Sequence, residues 1–351
     1  MRIRRDWELE GASLTGSEIV LVCASDRAFA MGASVMLYSA LVHLRPGIAV
    51  RIYMFDCGLE QAERSRIARV VERTGVRATV EWLRSPALAD ASHPLYRMPH
   101  AAYARLDMGS VLPKSVHRAI YLDADLLVLA DLSELCGVDM QGHVLSAVQD
   151  YYVVNVPYET DLAGEPGLSP DRDVTCPYFN SGLMLVDLER WRALDLGNKA
   201  AEYLADRRRL TALDCATADG AARYSSTLKY GDQDALNAVL RGRWMHLDCD
   251  WNVSALGLRY PEYVCDSVKD SLGTSFDTLR TTSKILHFCG PKPWDRMVLE
   301  PLAWRWWAYC RRSGWFAPAQ GILAQGRWVA RTGWNLSQSF VRRAWARRSH
   351  A

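Results

Sequence analysis

A chain of 351 residues, 49% of them hydrophobic and 23% charged, has enough apolar side chain for a large packed core, which excludes a disordered chain and a short disulfide-held module. The formal charge of +2 conceals an asymmetry: residues 301–351 carry nine Arg and no Asp, Glu or Lys, so that segment is +9 and the rest of the chain −7. Nine cysteines make an odd set without a Cys-x-x-Cys pair, which excludes a zinc ribbon and a secreted disulfide framework and predicts reduced, mostly buried thiols.

Met1-Arg-Ile-Arg-Arg-Asp-Trp7 is basic but lacks the following apolar stretch of about 7–15 residues that marks a secretory signal. No run approaches the roughly 18 apolar residues of a membrane span. The expectation is a cytoplasmic chain, in which the sequons at Asn252 and Asn335 carry no glycan.

In chain order, Glu18–Ala24 reads as a buried strand, Ala28–Leu44 as a mainly apolar helix and Ile48–Phe55 as a second strand. Glu60–Arg73 is a charged amphipathic helix and Val76–Leu83 a third strand. Strands alternating with helices predict right-handed βαβ crossovers and a parallel sheet, hence a nucleotide-binding half over residues 18–130, although neither Gly-x-Gly-x-x-Gly nor a P-loop is present.

The run Ala119–Leu122 is a further buried strand, and it ends in Asp123 and Asp125. Side chains at i and i+2 of an extended chain share a face, so both carboxylates can approach one hard divalent cation. Open α/β sheets bind ligands beyond the carboxyl ends of their strands, which is where this pair stands. The plainer reading of two such acids is a solvated turn or a helix cap.

A short helix at Leu132–Leu135 and a strand at Val144–Val148 then lead to Asp150. Residues 151–178 hold four prolines and no clear period, which predicts a long loop over the site. Phe179–Leu188 reads as a strand, Glu189–Arg209 as one amphipathic helix and Asp232–Leu240 as a short helix. Residues 211–229 carry no readable pattern, 251–273 are loop-rich, and the chain has no internal repeat. Finally an apolar strand from Ile285 delivers His287, followed by Gly290, Lys292 and two prolines that stiffen the turn. Imidazole can serve as a third metal ligand and the Lys292 ammonium suits a phosphate. The plainer readings are a structural histidine and a solvated lysine.

Five motifs occur together and in order: Tyr103-Ala-Arg-Leu106, Tyr121-Leu-Asp-Ala-Asp125, Phe179-Asn-Ser-Gly-Leu183, Gly231-Asp-Gln-Asp-Ala-Leu-Asn237 and His287-Phe-Cys-Gly-Pro-Lys-Pro-Trp294. In this order and spacing the chain resembles glycosyltransferase family 8, retaining, manganese-dependent enzymes that include bacterial galactosyl- and glucosyltransferases of lipooligosaccharide and lipopolysaccharide cores. The resemblance covers residues 18–295 and implies an α/β GT-A fold: a Rossmann-like nucleotide-binding half (18–130) with a mixed central sheet, an acceptor-side half (131–295) and a mostly helical extension (296–351).

The resemblance also implies the site. Asp123, Asp125 and His287 would bind the metal. Mn2+ is expected, with Mg2+ second, because Ca2+ prefers all-oxygen shells and Mg2+ rarely takes imidazole. Lys292 would meet the donor diphosphate, although the family pattern has one more residue between glycine and lysine than Gly290-Pro-Lys292. The loop Cys23-Ala24-Ser25-Asp26-Arg27 would face uracil and ribose, with Asp and Asn of some relatives standing where this chain has Ser25 and Arg27. Asp26 equally reads as an N-cap of the next helix. Arg105, Ala124 and Gly290 would lie near the donor, Arg105 having a structural ion pair with Asp107 or a core carboxylate as its alternative. Asp150, Asn180, Ser181, Asp232 and Gln233 would surround the transferred sugar, Asp232 also reading as a helix N-cap. Retention requires a carboxylate nucleophile or same-face attack beside the departing phosphate. Gln233 fits the second route, and Asp232 is the nearest carboxylate for the first.

Seven of the thirteen Trp lie at or beyond residue 304, among the nine Arg. Indoles at headgroup level with guanidinium groups on anionic lipid match an interfacial segment, each Arg contributing about 1 kcal/mol. The alternative is that Trp304–Trp307 pack on the body. No nucleic-acid-binding motif accompanies the charge.

The expected protein is a cytoplasmic transferase, peripheral on the inner face of the membrane, moving glucose or galactose from a UDP-sugar to a lipid-linked saccharide. Its rivals are a metal-dependent nucleotidyl or phosphoryl transferase, which lacks a second metal site, and a catalytically degenerate sugar-nucleotide binding protein.

Overall fold

The computed structural model describes residues 18–86, 100–153, 155–157, 175–214, 230–295, 302–317, 320, 322–327 and 329–330. Strands β1 (Glu18–Ser25), β2 (Ala49–Asp56) and β3 (Ala78–Leu83) lie parallel and adjacent, joined through helices α1 (Ala30–Val42) and α2 (Gln61–Arg73). α1 is apolar on nearly every side and buried on nearly every side, as such a helix must be. α2 keeps its charged face in water and buries Ile67, Val70 and Val71. It starts where the Glu60 backbone N–H donates to Glu63 Oε2 at 2.7 Å, one half of a capping box.

Two short helices, α3 (His100–Tyr103) and α4 (Met108–Val111), flank a 3-10 turn at Ala104–Asp107. β4 (Arg118–Leu122) then pairs parallel with β1 on the edge away from β2. Next come β5 (Leu126–Val128), α5 (Ser133–Cys136), β6 (Leu145–Gln149) and a small hairpin of β7 (Asn155–Pro157) and β8 (Thr175–Pro177). β9 (Phe179–Asp187) runs antiparallel to both β4 and β6. With β10 (Met245–His246) the main sheet reads β10-β6-β9-β4-β1-β2-β3, the mixed sheet that the family resemblance implies. β1 and β4 lie at the point where strand order reverses, so a crevice opens beyond their carboxyl ends.

Three expectations about elements change. The predicted helix Glu189–Arg209 is two helices, α6 (Leu188–Ala193) and α7 (Leu196–Asp214), separated at Asp195, whose φ of 50° lies in the left-handed region. The turn lets α7 cross the 3-10 segment so closely that a Cβ on Gly197 would sit 2.1 Å from the Leu106 carbonyl oxygen. The predicted loop 151–178 contains the β7–β8 hairpin, and its residues 154 and 158–174 lie outside the described residues. Of the unreadable stretch 211–229, residues 211–214 complete α7 and the rest lies outside them.

The loop-rich region 251–273 is a series of short elements. After α8 (Asp232–Leu240) come a 3-10 turn at Cys249–Asn252, β11 (Val253–Ser254), α9 (Ala255–Arg259) and α10 (Asp266–Ser271). α11 (Phe276–Thr282) leads into β12 (Ile285–His287). A second sheet, β11-β12-β5, joins this region to the residues just after Asp125.

One core packs beneath α1 and α2 and another on the opposite face, around Tyr53, Tyr121, Phe179 and Trp191. A third holds α12 (Ala303–Ser313), whose Trp306, Trp307 and Cys310 are buried against Val35, Leu127 and Phe288. Trp304 points outward and is 62% exposed. Among the described residues no helix is long and apolar enough to cross a membrane. Among the described residues Cys23, Cys57, Cys136, Cys249, Cys265, Cys289 and Cys310 are free thiols, but only Cys23 and Cys310 are fully buried, fewer than expected.

Replacing Gly197 by Ala places a methyl group against backbone that cannot rotate away. The expected cost is about 1–3 kcal/mol, read as a lower urea midpoint at unchanged slope. An unaltered midpoint would show that α7 does not cross where described.

Candidate active site

Asp123 and Asp125 follow β4 directly, and the N–H of Asp123 donates to the Gly182 carbonyl of β9 at 2.8 Å. His287 ends β12, whose antiparallel register against β5 sets it opposite Leu126. The N–H of Phe288 donates to the Asp125 carbonyl at 3.1 Å. His287 Nε2 consequently lies 3.3 Å from Asp125 Oδ1. Ligand atoms of Asp123, Asp125 and His287 all fall within 4.8 Å of one another. Ligands at about 2.0–2.2 Å from a shared transition-metal ion span distances of this size.

The charges fit as well. Asp123, Asp125, Asp150 and Asp232 against Arg105 and Lys292 leave a formal −2 with every acid ionised, and −1 with Asp232 protonated, so the site carries net negative charge for a cation in either state. Lys292 Nζ lies 2.5 Å from Asp125 Oδ2, so the shortened Gly290-to-Lys292 spacing keeps the ammonium at the site. Burial acts to raise the Asp125 pKa, but the Lys292 ammonium and His287 outweigh it and hold the carboxyl well below the usual range.

Arg105 is 3% exposed, and each of its three nitrogens donates to the protein. Its Nη1 donates to the Ser181 carbonyl and hydroxyl, each at 2.7 Å, and its Nη2 to Asp123 Oδ1 at 2.8 Å. Its Nε donates to the Ala102 carbonyl and lies 2.9 Å from Asp232 Oδ2, and its plane covers the Tyr121 ring. The ion pair is therefore with Asp123 and the buried Asp232 and not with Asp107, which is the core-carboxylate form of the structural alternative, and it fixes both acids. Asp232 Oδ2 has charge beside it but no aligned hydrogen bond. Burial pushes its pKa up to about 7, with Arg105 opposing and Asp123 adding to the rise.

On the other flank, Asp150 Oδ2 accepts from Asn180 Nδ2 at 2.9 Å and from Gln233 Nε2 at 3.2 Å. Gln233 Oε1 accepts from the Ser181 N–H at 3.0 Å. A void of about 10 Å3, room for about one water, lies among Asp150, Asn180, Asn252, Ser254, His287 and Cys289.

The sequence profile of glycosyl transferase family 8 matches residues 20–298. The chain belongs to glycosyl transferase family 8. It is 26% identical over 308 residues to General stress protein A of Bacillus subtilis (strain 168), covering 84% of this chain and 94% of that one. It is 24% identical over 299 residues to Lipopolysaccharide 1,2-glucosyltransferase of Escherichia coli (strain K12), covering 84% and 78%. The solved galactosyltransferase LgtC in complex with donor and acceptor sugar analogs superposes with a TM-score of 0.60 at 22% identity, over 85% of this chain and 95% of that one. The fold is thus GT-A, and the family 8 chain is a glycosyltransferase.

Not every residue expected at the family 8 site presents its side chain there. Cys23 is buried in the core beneath β1, and Ser25 Oγ donates to the Asp26 carbonyl. Asp26 Oδ1 accepts from the Phe29 N–H at 3.0 Å, which is the helix-entry role. Arg27 is tied to Glu60 and Glu63 at the start of α2. A ligand reaching Cys23–Ala24 would meet backbone. Ala124 is buried, and Gly290 is exposed with a φ of 115° that a side chain would strain.

Two residues escape a sequence reading. Asn252 Oδ1 lies 3.0 Å from His287 Nδ1, and Asn252 Nδ2 donates to Asn180 Oδ1 at 2.9 Å. The acceptor-only carboxylate of Asp150 orients the Asn180 amide, which orients that of Asn252. Asn252 therefore presents oxygen to the ring, which places a proton on Nδ1 and turns Nε2 toward Asp125 Oδ1, the nitrogen that would be left to a metal ion there. Gly182 is the second: a Cβ there would lie 2.3 Å from His287 Cε1. The only sequence signals were the Asn252-Val-Ser254 sequon and the glycine of Phe179-Asn-Ser-Gly-Leu183.

Asn252→Ala is expected to weaken divalent-metal binding about 10–100-fold, measured by Mn2+ electron paramagnetic resonance titration, with little change in melting. Wild-type affinity in that variant would disconnect Asn252 from the metal ligands.

Proposed function

We propose that this glycosyltransferase moves glucose or galactose, with retention of anomeric configuration, from a UDP-hexose to a hydroxyl of a lipopolysaccharide-type saccharide. The observation that carries the reading is the convergence of Asp123, Asp125, His287 and Lys292 beyond the carboxyl ends of β1 and β4. Asp123, Asp125 and His287 would hold Mn2+, which supplies Lewis-acid neutralisation of the donor diphosphate.

The remaining chemistry belongs to the chain. Lys292 contributes a compact positive charge where the leaving diphosphate gains negative charge. Arg105 holds Asp123 and Asp232 in register, and Asp150, Asn180 and Gln233 form a polar wall for the sugar. Gln233 has its amide engaged by Ser181 and Asp150, and Asp232 is 1% exposed beside Arg105, which supports same-face attack over a carboxylate nucleophile. The name of the Escherichia coli relative supports the acceptor class.

Attachment to an anionic membrane surface belongs to the same reading. Trp304 with exposed Arg311 and Arg312 on α12, and the exposed Ile322, Leu323 and Val329 beyond it, support it. The other tail tryptophans past Trp315 lie outside the described residues.

Purified protein with UDP-glucose or UDP-galactose and Mn2+ is expected to release UDP, and EDTA to stop it. Asp125→Asn should bring release to background, and Lys292→Ala should lower it about 100–1,000-fold. Full release in Asp125→Asn would end the metal-site reading, and release of phosphate or pyrophosphate instead of UDP would point to phosphoryl or nucleotidyl transfer.

The full chain should float with vesicles containing phosphatidylglycerol, and a chain ending at Trp315 should float much less. Equal flotation would remove the extension's membrane role.

A further inference from the structure

Lys292 stands on a turn with few fixings of its own. Gly290-Pro-Lys-Pro-Trp294 follows β12, and its two prolines have no backbone N–H with which to pair. Within the turn the Asp295 N–H donates to the Lys292 carbonyl at 2.9 Å, and the Lys292 N–H donates to Asp295 Oδ2 at 3.0 Å. These bonds shape the turn without tying it to the body. Among the described residues, one hydrogen bond joins the main chain of residues 290–295 to another element: Trp307 Nε1 of α12 donates to the Pro293 carbonyl at 3.1 Å. Both partners are buried, and Trp307 is 3% exposed.

Packing fixes the far end of the turn. The Trp294 ring meets Phe29 edge-on at 5.8 Å between ring centres and Trp306 at 5.1 Å. It lies over Gly32 of α1, where a Cβ would stand 2.5 Å from Trp294 Cη2 and 2.6 Å from the carbonyl oxygen of Ala124, between Asp123 and Asp125. The turn is thus set against the acidic pair on one side and against α12 on the other.

What hangs on this turn is an ammonium at the end of a flexible four-carbon stem. Lys292 Nζ lies 2.5 Å from Asp125 Oδ2 and donates to the Phe288 carbonyl at 2.9 Å. A misplacement of about 1 Å in such a group can cost about 100-fold in rate, so the root of the stem has to be held. The neighbouring indole supplies a contrast. Trp306 is buried in the same apolar cluster, yet its Nε1 has no hydrogen-bond partner among the described residues. An indole has a single donor, and Trp307 uses its own on Pro293.

We propose that Trp307 is a positioning residue, which through the Pro293 carbonyl holds Lys292 where the donor diphosphate meets it. The inference rests on the role given to Lys292 in the transferase reading above.

The test is the UDP affinity of the full chain in saturating Mn2+, measured by calorimetry, with kcat for UDP release beside it. Trp307→Phe keeps a ring and loses the donor; it should weaken UDP binding about 3–10-fold and lower kcat about 10–100-fold. Trp306→Phe removes the same atoms without removing a hydrogen bond, and should leave UDP affinity within about 2-fold of the parent. In a Lys292→Ala background, Trp307→Phe should change UDP affinity by less than about 2-fold, because the group it acts through is already gone. A purely structural loss would recur in both backgrounds. Linkage gives a measurement that needs no change at Trp307: saturating UDP, with Mg2+ as the diamagnetic ion, should slow deuterium exchange of the Trp307 indole N–H in the parent and not in Lys292→Ala. Parental UDP affinity in Trp307→Phe, equal losses in Trp306→Phe and Trp307→Phe, an undiminished loss in the double variant, or indole exchange indifferent to UDP would each overturn the positioning role. Parental UDP affinity in Lys292→Ala would remove the diphosphate reading and this role together, whereas weakened binding in Lys292→Ala beside parental binding in Trp307→Phe removes Trp307 alone.

Discussion

Two backbone hydrogen bonds, from Phe288 to the Asp125 carbonyl and from Asp123 to the Gly182 carbonyl, hold the family 8 site in one piece. They join three stretches far apart in the chain: the end of β4, the start of β9 and the end of β12. Side chains can share an ion only if their backbones are held within a few ångströms, and backbone pairing is the stiffest way to do so. The close approach depends on Gly182, since any Cβ there would occupy the place of the His287 ring.

A chain of side-chain contacts extends from this frame. Asp150 orients Asn180, Asn180 orients Asn252, and Asn252 sets the proton on His287 Nδ1. The Asp123–Asp125–His287 side and the Asp150–Gln233 side of the crevice are thereby parts of one network. Arg105 closes it from the opposite direction through Ser181, Asp123 and Asp232. Such buried charge costs stability unless it is paired, and the excess of acid over base suits the arrival of a divalent ion.

The C-terminal extension begins as part of the body. Trp307 Nε1 donates to the Pro293 carbonyl at 3.1 Å, and Trp306 packs on Trp294, so α12 braces the turn that carries Lys292. The two prolines of that turn limit its freedom, and α12 supplies a wall behind it. The shorter spacing before Lys292 is accommodated without removing the ammonium from Asp125.

The sequence by itself determined the alternating elements of the first half, because apolar period and turn residues are local signals. It also singled out residues that the fold brings together, through Asp123-x-Asp125 after a strand and His287 with Lys292 after another. It could not show that residues 189–209 break at Asp195, since the break answers to the approach of Gly197 to Leu106, a contact between distant segments. The same limit hid Asn252, which resembles any polar loop residue until β11 and β12 pair, and the pairing of Arg27 with Glu60 and Glu63 at the start of α2. The cap that Asp26 gives the Phe29 N–H, three residues on, was a local signal the sequence already offered. Only tertiary structure decided that Arg105 bridges two acids, because what a side chain touches across the fold depends on register between strands that sequence spacing does not encode.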